Sequence, residues 1–287
     1  MQFVSVGLTL LGLGLAALWS MPPFWVPFLY AVAYCLVLGW HLFSKRPADT
    51  ALWAAGPVNT VLVLVSISLG LAGGYLGVRA IQGRQLPPVD IVDIAPPFGP
   101  GTYIIANGGS DTIVNSHLHT LDPAVDRYRL WRGQSRALDI FRIKPSGLHM
   151  NGFWPSDPAL YTTFGTPVLA PCSGAIELVV DGVADMQVPQ MDRQHMAGNY
   201  VALNCGEFFV ILAHLQKNSV RVRQGDTVEI GARLGEMGNS GNSSEPHLHV
   251  HAQRGLPEDS MLGGEPLALT IDGRFLVRND RITVDAP

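Results

Sequence analysis

The chain has 287 residues and a formal net charge of -4, with 15% charged and 47% hydrophobic residues. That length supports one or two domains with a real core. The slight acidity and the lack of a basic run exclude the usual electrostatic footprint of a nucleic-acid partner.

The apolar residues are concentrated at the N-terminus. Three runs, about 3–19, 24–43 and 58–78, contain no Lys, Arg, Asp or Glu. Each is about the length that spans a hydrocarbon core as a helix. The first run lacks the basic start of a signal peptide and is followed by two more, so a retained span is expected. Trp19, Trp25 and Trp40 fall near run ends, as in an interfacial belt. Gly70 and Gly74, like Gly73 and Gly77, have the spacing that lets helices approach closely. The charge bias is nearly balanced, with Lys45 and Arg46 before the third run and Arg79 and Arg84 after it. If Lys45 and Arg46 are cytoplasmic, so is the N-terminus, and the C-terminal part lies outside. The expectation is an all-α region of three transmembrane helices in a lipid bilayer over residues 1–80.

The stretch "LPPVDIVDIAPPFGPG" (86–101) reads as an extended, helix-poor spacer. A linker is therefore expected over 81–100 and a single soluble domain over 101–287. Strand-like segments follow in order: "TYIIA", "TIVNSHLHTL", "ALDIFRI", and two short ones within "GTPVLAPCSGAIELVVDG". "NYVALNCGEFFVILAHL" reads as a hairpin turning at 204–207, and "LALTIDGRFLVRN" as one turning at Asp272-Gly273. Helical periodicity is scarce. The fold class is mainly β, and antiparallel because the connections are too short for parallel crossovers.

Cys35 lies in an apolar run. Cys172 and Cys205 lie in the soluble part, and they form either one disulfide, as in an oxidising compartment, or two buried thiols. No CxxC spacing supports a cysteine-based metal site.

There are nine histidines. His41 closes an apolar run, and His149 and His195 sit in loop-like sequence. The rest fall in three places: His117 and His119, His214 after "FFVILA", and His247, His249 and His251 in "EPHLHVH". Residues two apart on a strand share a face, about 7 Å apart per step. A single strand histidine is more often structural than ligating, but six in one domain can build a metal site. Zinc takes imidazole and carboxylate ligands, and Asp139 is a candidate carboxylate. HExxH and GxSxG are absent, which excludes the helical zincin and nucleophile-elbow plans. The "QGDTVEIGARLGEMG" turn lacks the lysine a lipoyl or biotinyl carrier needs.

"GTPVLAPCSGAI", "GNYVAL", "VILAHL" and "VRQGDTVEIGARLGEMGNSGNSSEPHLHVH" occur in the order seen in LytM/lysostaphin-type zinc metallopeptidases, which the chain resembles over roughly two-fifths of its length. The resemblance implies a small, mainly antiparallel β domain that hydrolyses peptide bonds in bacterial peptidoglycan with one zinc ion per chain. It implies Asp139 and His249 as zinc ligands, and His214 and His247 as catalytic histidines. The family's first histidine ligand usually stands four residues before the aspartate, where this chain has Ser135. "NSHLHTL" offers His117 as the replacement, or else His119. His251 stands where an acidic residue is common, and Glu245 and Asn115 are nearby candidates to orient ligating histidines. The implied protein is a multi-pass enzyme of the bacterial inner membrane with its domain periplasmic or extracellular. The competing reading is a catalytically inactive member that binds and regulates another cell-wall hydrolase.

Overall fold

The computed structural model describes residues 2–20, 22–44 and 57–285. The apolar runs form α1 (Gln2–Ala16), α2 (Val26–Phe43) and α3 (Pro57–Gln82). Among the described residues, two stretches, Val26–Phe43 and Thr60–Gln82, are by length and composition apolar enough to cross a membrane. The expectation of three spans is therefore corrected to two candidate spans. α1 has 15 residues, which at 1.5 Å per residue is about 22 Å, short of a hydrocarbon core of about 30 Å. It stops because the chain is turned off toward the sheet. The Trp19 backbone N–H donates to Asn279 Oδ1 at 2.9 Å, and its indole N–H donates to Gly14 O at 3.0 Å.

The small residues of α3 do meet a helix. A Cβ on Gly73 would lie 2.4 Å from Thr9 Cα, and one on Gly70 would lie 2.7 Å from Ser5 Cα. α1 therefore packs backbone to backbone on α3, and a larger residue at either glycine would force the helices apart. α2 has no buried residue, and α3 also leaves large apolar side chains such as Leu71 exposed. Lys45 and Arg46, on which the orientation argument leaned, lie outside the described residues. Arg79 pairs with Asp111 at 2.6 Å and Arg84 pairs with Asp280, so both basic groups after the third run bind the β domain.

The domain contains β1 (Ile91–Ile94), β2 (Gly101–Asn107), β3 (Leu138–Ile143), β4 (Pro167–Leu169), β5 (Gly174–Val180), β6 (Asn199–Asn204), β7 (Phe209–Leu215), β8 (Thr227–Val228), β9 (Arg233–Glu236), β10 (Leu248–Arg254), β11 (Glu265–Ile271) and β12 (Arg281–Val284). The main sheet runs β12-β2-β3-β10-β7-β6-β5-β8, with β11 joined to β10 and β1 to β11, and β4 pairs with β9 separately. All these pairings are antiparallel except β1 with β11. Ile105, Ile140, Leu203, Leu212 and Val250, from five neighbouring strands, are all fully buried in one apolar core.

Three sequence expectations change. The spacer is partly sheet: β1 lies within it, and Ile94 and Phe98 are buried. A proline-rich stretch without helix leaves extended backbone free to pair. "TIVNSHLHTL" is not a strand but contains the 3-10 helix Ser116–Leu121, whose first turn is capped by the Asn115 side chain accepting from the His117 N–H. The Asp272-Gly273 turn forms with positive φ at both residues, but the chain leaving it pairs back on β11 only through the bridge of Arg274 to Ile271. It becomes β12, on β2. The β6–β7 hairpin turns where expected. Cys172 and Cys205 are joined in a disulfide, with Cα atoms 5.9 Å apart.

Candidate metal centre

β10 lies between β3 and β7, with His249 opposite Asp139 on one side and opposite Ala213 on the other. Residues directly opposite on paired strands share a face, so pairing alone puts the Asp139 carboxylate and the His249 ring together. His249 Nδ1 lies 3.1 Å from Asp139 Oδ1. His117 arrives from the 3-10 helix, with its Nε2 3.5 Å from Asp139 Oδ2. Ligand atoms of His117, Asp139 and His249 all lie within 4.8 Å of one another, as do those of His214, His247 and His249. His119 is exposed and belongs to neither group.

His214 ends β7 in a left-handed backbone conformation, φ 61°, uncommon for a residue with a side chain. The register of β6 on β7 shifts just there, between Asn199 and Val201. Such a bulge re-aims a side chain. The His214 ring is buried, and its Nδ1 donates to Ser240 O at 2.8 Å. His247 precedes β10, and its Nδ1 donates to the backbone carbonyl of Glu245 at 2.8 Å. A carbonyl oxygen only accepts, so in each neutral ring the proton sits on Nδ1 and Nε2 keeps its lone pair. These two rings and the other three groups line a cleft of about 190 Å³, closed around by Met191, Met196, Leu262 and Gln134.

The electrostatics follow from burial beside one carboxylate. Burial works to raise the Asp139 carboxyl, but His117 and His247 beside it hold it well below the usual carboxylate range. Burial pushes His117 down to about 4, against the pull of Asp139. Burial, aided by His247 and His249, holds His214 well below its ordinary value. Burial would lower His247 too, but Asp139 outweighs it and the ring ends up raised.

The donor set fits a divalent metal. The far nitrogen of each candidate ligand ring is occupied: His117 Nδ1 lies 3.0 Å from Asn115 Oδ1, and His249 Nε2 lies 3.0 Å from His251 Nδ1. The near nitrogens face the carboxylate. Two imidazoles and a carboxylate with a further position open make the ligand set of a catalytic zinc.

Several partners escaped the sequence. Asn107, read only as part of a turn, donates to Asp139 Oδ2 at 2.9 Å. It also accepts from Arg278 at 2.8 Å. The Glu245 carboxylate is engaged by His149 Nε2 at 2.9 Å, so only its backbone carbonyl serves His247. Ser135 is fully buried and lies 2.8 Å from the Thr120 hydroxyl, which donates to His117 O at 2.7 Å. It braces the turn that carries His117. His195, bonded to Asp192 on an exposed loop, is outside both histidine groups.

Such a cluster of imidazoles around a carboxylate, on an antiparallel sheet, can hold a divalent metal. Residues 159–260 match the model of Peptidase family M23. The match includes His214, His247 and His249, while His117 and Asp139 lie upstream of it. An uncharacterized metalloprotease of Haemophilus influenzae is 38% identical over 86 residues, which are 30% of this chain and 15% of that protein. The peptidoglycan DD-endopeptidase ShyA of Vibrio cholerae is 32% identical over 109 residues, 37% of this chain and 24% of that protein. The chain thus spans less than a quarter of the length of these curated relatives. Among solved structures, the catalytic domain of lysostaphin from Staphylococcus simulans is 25% identical, with 42% of this chain and 77% of that one covered and a TM-score of 0.27.

Proposed function

We propose that the protein is an active, membrane-anchored zinc endopeptidase that hydrolyses peptide bonds in peptidoglycan, outside the cytoplasmic membrane of a bacterium. The observation that carries this reading is the convergence of His117, Asp139 and His249 on one point, with the lone pairs of His214 and His247 beside it. A zinc ion bound there supplies Lewis acidity for the scissile carbonyl and brings the pKa of water toward about 7. His117, Asp139 and His249 would hold that ion. His214 and His247, each anchored through Nδ1 on a backbone carbonyl, present Nε2 to accept a proton from water and return it to the leaving amine. A protonated ring also donates to the oxyanion of the tetrahedral intermediate. Burial of Asp139, His214 and His249 lowers the polarity around them, which strengthens these interactions.

Peptidoglycan as substrate is supported by the family and by the DD-endopeptidase relative. The Cys172–Cys205 disulfide supports an oxidising, extracytoplasmic compartment. Two apolar helices of spanning length with exposed flanks support anchoring in the bilayer. The inactive-regulator reading started from Ser135 standing in place of a ligand. His117 reaching Asp139 from another element supports the active reading instead.

The test uses the full chain in detergent. Zinc content is measured together with release of peptides from purified sacculi. About one zinc per chain and cleavage are expected, with His247→Ala and His214→Ala retaining zinc and losing cleavage. Zinc-loaded protein that binds sacculi but leaves them uncut establishes the regulator instead.

A further inference from the structure

Behind His249 runs a line of polar groups that the proposed chemistry does not use. His249 Nε2 lies 3.0 Å from His251 Nδ1, and His251 Nε2 lies 3.2 Å from Gln253 Oε1. Gln253 Nε2 donates to Gly255 O at 2.7 Å and to Met261 O at 2.8 Å. The three side chains alternate along β10, and His251 and Gln253 are both 0% exposed. The amide of Gln253 fits a slot between two glycines. A Cβ on Gly133 would lie 1.8 Å from its Oε1, and one on Gly264 would lie 2.6 Å from its Nε2.

Each hydrogen bond in the line fixes the next. Two carbonyls face one end of the Gln253 amide, and carbonyls only accept, so the nitrogen is there and the oxygen faces His251. That oxygen also only accepts, so His251 carries its proton on Nε2. With one ring proton placed there, Nδ1 of that imidazole is the nitrogen left with a lone pair. The facing atom, His249 Nε2, must then be the donor. The remaining nitrogen, His249 Nδ1, keeps its lone pair and points at Asp139.

We propose that Gln253, acting through His251, is a positioning residue that sets the tautomer of His249 and thereby aims Nδ1 at the metal. Two acceptors, His249 Nδ1 and Asp139 Oδ1, are held 3.1 Å apart, and a cation is what satisfies both. Partners behind a ligating imidazole raise its basicity and fix its orientation, and their loss costs about 10–100-fold in metal affinity. The inference rests on the zinc reading for its consequence, but not for its geometry.

The test compares His251→Phe with His251→Gln in the full chain. Phenylalanine fills the slot and offers no acceptor. Glutamine can accept from His249 and donate to Gln253, keeping the polarity of the line. Zinc affinity, measured by competition with a chromophoric chelator, is expected to fall about 10–100-fold in the Phe variant and to recover in the Gln variant. A purely packing role predicts the reverse order. A Phe variant that binds zinc like the parent, or a Gln variant no better than Phe, overturns the proposal. Long-range ¹H–¹⁵N spectra of the unmutated, metal-free chain give a second readout: a proton on His251 Nε2 is expected, and one on Nδ1 overturns the proposal. That spectrum decides the tautomer even if the chain takes up no zinc, which separates this inference from the metal reading.

Discussion

His249 and Asp139 lie 110 residues apart in sequence, yet their side chains meet at 3.1 Å because β10 and β3 set them directly opposite. Neither residue can move along its strand without breaking the register of a central pair. The pairing therefore presents both groups to the cleft before any metal arrives. Asp139→Asn preserves the shape, removes the charge and turns a donor toward the imidazoles. Zinc affinity should fall at least about 10-fold, read by chelator competition. Unchanged affinity would remove Asp139 from the donor set.

His117 and His119 give a sharper comparison, because two residues apart on a 3-10 helix they point to different sides. His117→Ala should release zinc. His119→Ala, at an exposed position, should leave zinc content and cleavage as in the parent. The reverse pattern, read by metal analysis of the two purified variants, would place His119 in the site.

Acid should destabilise the metal-free protein. His117 is lowered to about 4 from 6.5. His214 and His251 are held well below 6.5. The unfolded chain binds these protons at the ordinary value while the folded chain resists them, so stability is lost as pH falls from about 6.5 toward 4. His247 has the opposite sign: its raised pKa contributes stability below 6.5 that is lost as pH rises through the folded value. Asp139, held low, adds a loss only at more acidic pH. The three lowered rings outweigh the one raised. The urea midpoint should be lower at about pH 5 than at about pH 7, and an equal or higher midpoint at pH 5 contradicts it.

His149 is 2% exposed, stacks on Phe141 and bonds both Glu245 and Ser20 O. His149→Ala strips the Glu245 carboxylate of that partner, at a cost of about 1–3 kcal/mol, measured by denaturant unfolding. His149→Gln, which can still donate, should recover part of the loss. Loss of less than about 0.5 kcal/mol in the Ala variant would mean that water replaces the ring.

The sequence motifs drew attention to Asp139, His214, His247 and His249, and the structure gathers all four in one cleft. Local spacing carried that much, because strand segments keep their side-chain alternation wherever they pair. It did not carry the choice between His117 and His119. That choice turns on one capping bond from Asn115, which replaces a strand with a 3-10 turn. Nor did it reveal Asn107, or the line from His251 to Gln253, since these meet their partners only through strand pairing and loop closure. The end of α1 was equally hidden: the apolar run continues to Trp19, but hydrogen bonds from the far end of the chain stop the helix at Ala16.

Arg278 donates to Ala16 O and Ile113 O at 2.9 Å and to Asn107 Oδ1 at 2.8 Å. Asn107 in turn donates to Asp139, and Asn279 donates to Ala17 O at 2.7 Å. Only two side chains therefore stand between the last turn of an apolar helix and the carboxylate of the site. Cutting the gene after residue 90 to obtain a convenient soluble fragment does more than untether the domain. It leaves the Arg278 guanidinium short of one acceptor and takes the helix-end carbonyl from Asn279, in the same polar network that holds Asp139 in place. A truncated preparation that binds metal poorly would report on that damage, and the intact chain is the reference against which such fragments have to be judged.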